Sequence, residues 1–505
     1  MSFLSDNMGA IVVALVASVV SWLFGGARAD LLTPVVPWMS LFMVEVLLFF
    51  PQRRRGEDVY GARRRVWSEL RHDPLVLVSV GFLALLVVPF ANSGLCVVCD
   101  AEKIAALGLS PKPPIPFIPF CVNRLDHLTV FLWFAAVVPA MLVVRHGLAR
   151  RGKRLVLEMI VWNGMALAAL GFVQSALRAP GPFWDTHNGT FYGTTTDFFS
   201  VFGYSNMAGD YFTFLFGLAV ALWRDHYERM REEFETKDIS KSAPKRPRMF
   251  WKKHYFLIPA VLFYFAAVHT LSRAAIVLVT VTACVYFMHT LAAFFARMRR
   301  VGRVKASAWC LLGFLVVVLL AIKGVPERVQ HEAGTLNAVE MLDRVTGKRM
   351  DSVRVATEIW KDHKLFGCGG WGFVHFALPK MNRRDIDMEL QVVGGANVHN
   401  DYMQFPAEHG LVGFAALVTM VVLLLVPVGR RWRELAHDAL FMTNKHRLPR
   451  PVQLFALPAG AFFTLIAAFA TLIHAFGDCP LRSLAILLLL FISLAAVPGF
   501  LPREK

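Results

Sequence analysis

The chain has 505 residues, of which 56% are hydrophobic, and it carries a formal net charge of +17. Apolar runs long enough to cross about 30 Å of hydrocarbon as helices recur almost from end to end. This pattern excludes a water-soluble multidomain protein and predicts an all-α polytopic membrane protein, because the runs lack the alternation of a membrane β-barrel.

About twelve transmembrane helices are predicted, taken in chain order. The first half contains six, at residues 8–25, 31–50, 75–91, 128–144, 155–177 and 206–223. The second half contains six more, at residues 254–270, 274–296, 307–323, 411–428, 453–475 and 483–500. The boundaries divide the chain into nine membrane helices at 1–323, a large polar insertion at 324–410, and three membrane helices at 411–505.

Lysine and arginine predict the orientation, since basic residues in short loops stay on the cytoplasmic side. The runs QRRRGEDVYGARRR, RHGLARRGKR, RMRRVGRVK and GRRWRELAH all fall on one side if both termini are cytoplasmic. We therefore expect a bacterial inner (cytoplasmic) membrane protein with polar segments 91–127, 178–205 and 324–410 on the periplasmic face. The net charge of +17 is interpreted as a consequence of the membrane orientation, because most basic residues lie in the predicted cytoplasmic loops. A lipid-headgroup patch in the first loop is the weaker alternative, and no nucleic-acid-binding motif accompanies the charge.

Two further patterns limit the chemistry. The cytoplasmic loops lack a GxxxxGKS/T phosphate loop, which disfavours a nucleotide-driven machine, and no cleavable signal peptide is evident. Cys96 and Cys99 form CVVC, with Cys121 at the far end of the same loop. A disulfide that ties this loop is favoured over free thiols, and a zinc site or a thioredoxin-like redox role is disfavoured.

The insertion has a readable order towards its end. SVRVATEIWKDH places Val353, Ala356 and Trp360 on one side of a helix and charges elsewhere, which predicts an amphipathic periplasmic helix. KLFGCGGWGF follows, and its glycines, including Gly370, permit tight turning. A structural turn is favoured there over a phosphate cradle.

Five segments together resemble the superfamily of O-antigen ligases and O-antigen polymerases, which are bacterial membrane glycosyltransferases that use polyprenyl-diphosphate-linked glycans. These segments are YSNMAGDYF (204–212), LSRAAIVL (271–278), IWKDHKLFGCGGWGFVHF (359–376), VHNDYMQFPAEHGLVGF (398–414) and HAFGDCPLRSLAILLLLF (474–491). The resemblance runs from about residue 190 to residue 500.

The resemblance implies transfer of a glycan from an undecaprenyl-diphosphate carrier to an acceptor at the periplasmic face. It implies inversion at the anomeric carbon, no metal and no cofactor. The expected partners are the carrier-linked donor, a glycan or lipid A core acceptor, and membrane lipids. Such chemistry needs arginines to neutralise the leaving diphosphate and a base to deprotonate the acceptor hydroxyl.

His399 matches the histidine of the family motif and is the candidate general base; a capping histidine is the structural alternative. Asn400 and Asp401 are expected to cap the following helix, and Glu408 to orient neighbouring donors. These three are treated as supporting residues.

The proline in this motif departs from the family pattern. Pro406 removes a backbone hydrogen bond and should kink the helix or stop it early, which puts the position of Glu408 relative to His399 in doubt. His409 is a second imidazole that could compete for the role of base.

Arginines on the outer face are the candidate diphosphate ligands. Arg273 interrupts a long apolar stretch against the positive-inside trend, with a snorkelling interfacial arginine as the alternative. Arg482 is a similar case, with Asp478 as an equally weighted ion-pair partner. Arg354 and Arg178 are weaker candidates.

Asn206 and Gly209 match the YSNMAG segment and either shape the site or simply begin a span. The acceptor stays open among lipid A core, a second carrier-linked repeat and a protein, with ligase or polymerase preferred. A transporter or flippase for lipid-linked sugars is the alternative of another class. It is disfavoured because the polar residues cluster in outer loops rather than at mid-span.

Overall fold

The computed structural model describes residues 2–26, 29–54, 56–93, 114–184, 198–237, 254–297, 338–377, 397–442 and 457–502. Within these ranges the regular secondary structure is helical, with two isolated bridges, Ser93–Cys121 and Phe199–Phe202. The all-α class is confirmed. The predicted span 307–323 and the residues Cys96 and Cys99 lie outside the described residues.

The first eight α-helices are α1 Ser2–Trp22, α2 Ala29–Leu32, α3 Val36–Phe49, α4 Val59–His72, α5 Pro74–Ala91, α6 Arg124–Leu142, α7 Arg150–Ala176 and α8 Ser205–Lys237. The next seven are α9 Leu257–His269, α10 Arg273–Arg297, α11 Ala338–Asp362, α12 Gly372–Ala377, α13 Asp401–Met442, α14 Ala459–His474 and α15 Leu484–Ala496. Among the described residues, every predicted apolar span overlaps one of these helices.

Among the residues that the structure describes, five helical segments are long and apolar enough to cross a membrane: 74–91, 124–147, 150–176, 273–290 and 401–436. Shorter apolar helices accompany them, at 6–22, 36–49, 257–269, 459–474 and 484–499. The protein is therefore a helical membrane protein, while the count of about twelve spans, the three-part division of the chain and the periplasmic insertion stay predictions.

Capping side chains set several helix starts. Asp73 accepts a hydrogen bond from the Leu75 amide at 2.9 Å, and Pro74 occupies the first position of α5. Asn123 and Ser483 cap α6 and α15 in the same way. These caps satisfy amides that a helix cannot pair internally.

The core is centred on α15, in which every residue from Leu484 to Ala496 is buried. A helix that is apolar all round is stable only in such a position. α6 packs against it, and α8 packs along α14 and α9. The turn that precedes α15 is thereby held at one end of the bundle.

That end is shared by the glycine-rich loop after α11. Ser93, which follows α5, pairs with Cys121, and a β-carbon on Gly369 would lie 2.7 Å from Cys121 Cα. The C-terminal end of α5 is therefore at the glycine-loop end. Its N-terminal end, with Asp73, is about 27 Å away at 1.5 Å per residue.

The break in α13 differs from the expectation. The helix continues through Pro406, and the non-helical residue is Gly410, with φ 63° and ψ −174°. A β-carbon on Gly410 would lie 2.2 Å from the Leu365 carbonyl carbon, so the glycine-rich loop crosses α13 at this point. After the break, the amides of Leu411 and Val412 donate to the carbonyls of Lys364 and Leu365. Tertiary packing, not the proline, sets the position of the kink.

Candidate functional site

His399 faces a buried carboxylate. Its Nδ1 lies 3.3 Å from Asp478 Oδ1, and its side chain is 13% exposed while that of Asp478 is buried. Because a carboxylate only accepts, Nδ1 carries the proton in this contact, and Nε2 of the neutral ring then carries the lone pair. The contact therefore orients the imidazole as a base.

Asp478 is held by several donors. The Tyr204 hydroxyl lies 3.1 Å from each carboxylate oxygen, Asn206 Nδ2 donates to Oδ2, and the Cys479 amide donates to Oδ1 at 2.8 Å. The Arg349 guanidinium lies 3.6 Å away and also donates to the Gly477 carbonyl. Asn206 thus shapes the site directly, as one of its two sequence interpretations proposed.

The protonation states of this cluster follow from its contacts. Burial alone would raise the pKa of Asp478, but the hydrogen bond and charge of His399, with the charges of His474 and Arg349, hold it well below its ordinary range. Burial, with the nearby carboxylate, raises the pKa of Tyr204 well above its ordinary value. Asp478 is therefore ionised and Tyr204 is a neutral donor near neutral pH.

Arg349 is a site residue that sequence reasoning missed. It lies on α11 five residues before Arg354, so the two side chains point about 140° apart around the helix. Arg349 reaches Asp478, whereas Arg354 is 67% exposed and pairs with Asp351 at 3.6 Å. In the described residues, no contact joins Arg354 to His399 or Asp478. The helical periodicity of the sequence predicts that the two arginines lie on different faces of α11. The sequence of α11 alone does not indicate which of these faces contacts Asp478.

Arg482 has a different partner from the one considered. It forms a fully buried ion pair with Glu408, not with Asp478. Its guanidinium carbon lies 4.6 Å from the Trp371 ring centroid and 5.9 Å from that of Phe405. Glu408 also accepts from the Trp371 amide at 3.2 Å, so the pair anchors the glycine-rich loop to α13.

The start of α13 is fixed by the two residues after His399. Asn400 accepts from the Met403 amide at 3.1 Å, so its predicted capping role is confirmed. Asp401 does not cap α13. Its amide donates to the Ala475 carbonyl and its Oδ2 accepts from the Leu481 amide, both at 2.9 Å. Both contacts reach the turn that carries Asp478, which holds that turn beside His399.

The amides of the glycine-rich loop are used within the protein. The amides of Gly367, Cys368 and Gly369 donate to the carbonyls of His363, Ala407 and Glu408, respectively. The amides of Gly370, Trp371 and Gly372 donate to His127 Nδ1, Glu408 Oε2 and the Gly369 carbonyl. A β-carbon on Gly370 would lie 2.9 Å from Val130. The loop is a structural turn, as favoured from the sequence, because these amides are not available to a phosphate.

The remaining candidates occupy different places. Arg273 begins α10, whose first turn packs on α8: a β-carbon on Gly209 would meet that of Ala275 at 2.5 Å. Since Gly209 is one turn from Asn206, the start of α10 packs one turn along α8 from Asn206, and Arg273 is exposed there. Arg178 is exposed after α7, and no contact joins it to the cluster in the described residues.

His409 is enclosed by aromatic rings. The ring centroid of Phe405 lies 5.8 Å away and that of Phe82 6.3 Å away, and the side chain is buried. A general base must reach a substrate hydroxyl. Because His409 is buried among these rings, it is not accessible for that role.

His399, Asp478 and Cys479 could in principle chelate a cation, since a ligand atom from each lies within 4.8 Å of the others. The donor set does not fit a resident metal. Asp478 already accepts from tyrosine, amide and guanidinium donors, and burial raises the pKa of Cys479 well above its ordinary value, so its sulfur stays protonated.

Cys121, Cys284 and Cys368, like Cys479, are free thiols, and Cys121 donates to the Pro89 carbonyl at 3.2 Å. The predicted disulfide therefore does not include Cys121.

An apolar cleft of about 230 Å³ adjoins the cluster. Asp401 and Tyr402, two and three residues after His399, are among its lining residues. Most of the other lining side chains are apolar, among them Phe134, Phe405, Leu417, Leu472, Leu481 and Phe491.

The fold and site define a polytopic helical membrane protein with a charged, hydrogen-bonded cluster at one end of its bundle. Residues 258–418, about a third of the chain, match the family model described as O-antigen ligase. Over this segment the chain is similar to the O-antigen ligase superfamily. The matched segment contains Arg273, Arg349 and His399, while Asn206 and Asp478 lie outside it. No curated protein matches the chain.

Proposed function

We propose that the protein transfers a glycan from an undecaprenyl-diphosphate carrier to an acceptor hydroxyl at the periplasmic face of the inner membrane. The observation that carries the proposal is the His399–Asp478 pair, whose histidine lies in the segment matching the O-antigen ligase family. The family supports glycosyltransferase activity in general, and the donor, acceptor and carrier are proposed here.

His399 Nε2 accepts the proton of the acceptor hydroxyl as its oxygen attacks the anomeric carbon. The bond from that carbon to the diphosphate oxygen breaks on the opposite face, which inverts the configuration, and the polyprenyl diphosphate leaves. Asp478 stabilises the imidazolium that forms and keeps Nδ1 protonated. The imidazolium then releases its proton to solvent, and no metal takes part.

Arg349 and Arg273 are the proposed ligands of the diphosphate. Arg349 already stands beside Asp478 at the site, and Arg273 begins a helix packed one turn from Asn206. Two guanidinium groups neutralise the charge that develops on the leaving group. Arg482 acts instead through its pair with Glu408, and Arg354 and Arg178 are not retained as ligands.

The apolar cleft beside Tyr402 suits the first isoprene units of the carrier. Its lining is almost entirely hydrocarbon, and it includes Asp401, two residues after His399. A tail held there brings the diphosphate to the cluster rather than into bulk water, where hydrolysis competes.

Lipid A core is the preferred acceptor, which makes the enzyme a ligase of lipopolysaccharide biosynthesis. A second carrier-linked repeat would make it a polymerase of surface polysaccharide, and a protein acceptor an O-oligosaccharyltransferase. We also propose that both termini lie in the cytoplasm, because this orientation keeps most lysines and arginines of the loops on the cytoplasmic side.

The test is transfer by the purified protein from a polyprenyl-diphosphate oligosaccharide, in EDTA, to lipid A core or to a second carrier-linked repeat. We expect His399→Ala to lower the rate about 10²- to 10⁴-fold, with donor binding retained. Asp478→Asn should lower kcat while leaving the KM for the donor nearly unchanged. His72→Ala is the matched control, since His72 is exposed on α4 at the other end of the bundle.

Full transfer by His399→Ala would overturn the assignment of the base. Donor binding by the wild-type protein without transfer to either acceptor would instead favour a protein acceptor or transport.

A further inference from the structure

The helix α4 lies between two apolar helices and is amphipathic. Ala62 and Val66 are buried on its inner face. Arg65, on the same side, bonds to Glu57, to the Gln52 carbonyl and to the His146 carbonyl. These contacts fix which face of α4 meets the bundle.

The outer face carries an aromatic and basic stripe, defined as Tyr60, Arg64, Trp67 and Arg71. Their spacing of four, three and four residues places them along one side of a helix. Tyr60 is 78% exposed and Trp67 is 50% exposed. Arg64 and Arg71 are also exposed, and the Arg71 guanidinium carbon lies 4.8 Å from the Trp67 ring centroid.

The two arginines of the stripe differ from their neighbours. Arg53 pairs with Asp6, Arg54 with Glu69 and Arg65 with Glu57. Arg64 and Arg71 have no acidic partner in the part of the chain that the structure describes. Their positive charge is therefore directed outward.

The position of α4 relative to the membrane follows from its junctions. Asp73 is both the residue that ends α4 and the N-cap of α5, so α4 lies at the level where α5 emerges from hydrocarbon. On the other side, Arg63 donates to the carbonyl of Phe49, the last residue of α3, whose exposed ring lies 5.7 Å from the Arg63 guanidinium carbon. Both neighbours place α4 at the membrane surface.

We propose that the aromatic and basic stripe of α4 binds anionic phospholipid headgroups. The guanidinium groups of Arg64 and Arg71 meet the phosphates, while Trp67 and Tyr60 lie at the boundary between headgroups and acyl chains. Interleaved aromatic rings at this depth favour a lipid over a soluble polyanion. The stripe adjoins the N-terminal end of α5, about 27 Å along that helix from the end that meets the glycine-rich loop, and is independent of the transfer reaction.

The test uses the full-length protein in detergent, titrated with phosphatidylglycerol or phosphatidylcholine and examined by native mass spectrometry. We expect preferential binding of phosphatidylglycerol that weakens as salt rises. Arg64→Gln/Arg71→Gln should weaken it roughly tenfold or more, since both positive charges that meet the lipid phosphates are removed. Arg64→Lys/Arg71→Lys should retain most of the binding.

The matched control is Arg430→Gln/Arg433→Gln, which removes two exposed charges from α13, outside the stripe. Glycerol phosphate serves as the competitor that lacks acyl chains. Equal loss in the control and stripe variants, or full competition by glycerol phosphate, would overturn a lipid site at α4.

Discussion

His399 has a left-handed backbone conformation, with φ 51°, which residues with a β-carbon seldom adopt. The following Asn400 cap and the Asp401 contacts to Ala475 and Leu481 hold the chain on one side of it. Strain of this kind persists only where the surroundings impose it, and it is common at functional sites. At the residue scale, the backbone conformation of His399 is thus imposed by contacts with residues about 80 positions further along the chain.

The buried Glu408–Arg482 pair yields a prediction about stability. Arg482→Met leaves the Glu408 carboxylate buried without its counter-charge, which should lower the free energy of unfolding by about 3–5 kcal/mol. The measurement is the thermal unfolding midpoint of the purified protein, followed by thiol-reactive dye or by tryptophan fluorescence.

Arg482→Met/Glu408→Gln should recover much of that loss, because the glutamine still accepts from the Trp371 amide without a charge. If Arg482→Met instead leaves the midpoint unchanged and raises the KM for the donor, Arg482 is a diphosphate ligand, as the sequence alone suggested.

At the element scale, the important feature is the crossing of the glycine-rich loop over α13. Gly367 and Gly410 approach each other's segments so closely that a β-carbon on either would meet backbone atoms within 2.3 Å. The amides of Cys368 and Gly369 donate across this crossing to the carbonyls of Ala407 and Glu408. The glycine-rich loop and the helix that follows His399 therefore pack as one unit.

Gly410→Ala should disrupt this crossing. The new methyl group meets the Leu365 carbonyl, and alanine is strained at φ 63°, so we expect loss of folded protein or a marked fall in the unfolding midpoint. Gly429→Ala in the same helix is the control: open space surrounds that position, and alanine there should stabilise the helix by up to about 1 kcal/mol. Similar midpoints for the two variants would contradict the described crossing.

The helices were largely predictable because apolar runs and capping residues are local properties. The same holds for the capping role of Asn400. The kink at Gly410 was not predictable, because it depends on the contact with Leu365. The sequence around Pro406 gives no information about that contact. Arg349 and the true partner of Arg482 were missed for a related reason: 129 residues separate Arg349 from Asp478, and 74 separate Glu408 from Arg482.

At the scale of the whole molecule, the bundle has two chemically different ends. The cluster around His399 and Asp478 lies at the end shared with the glycine-rich loop, and the α4 surface helix adjoins the opposite end of α5. Our proposed orientation places the first end in the periplasm and the second in the cytoplasm.

Cysteine labelling tests this orientation. In intact cells, a membrane-impermeant maleimide should label Arg354→Cys, an exposed position on α11, and should label Ser68→Cys, exposed on α4, only after the membrane is permeabilised. Labelling is compared with the unsubstituted protein, in which Cys121, Cys368 and Cys479 are buried. The reverse pattern would place the His399 cluster in the cytoplasm.

The Asp478 cluster joins Asn206 of α8 and Arg349 of α11 to His399 and to the turn between α14 and α15. A chain emerging from the ribosome brings Asp478 last, after the histidine has already been synthesised. Until the final hairpin inserts, the imidazole has no carboxylate to orient it. Under the proposed function, the nascent chain therefore lacks an oriented base, and it neither transfers nor hydrolyses the carrier-linked donor before this turn has folded.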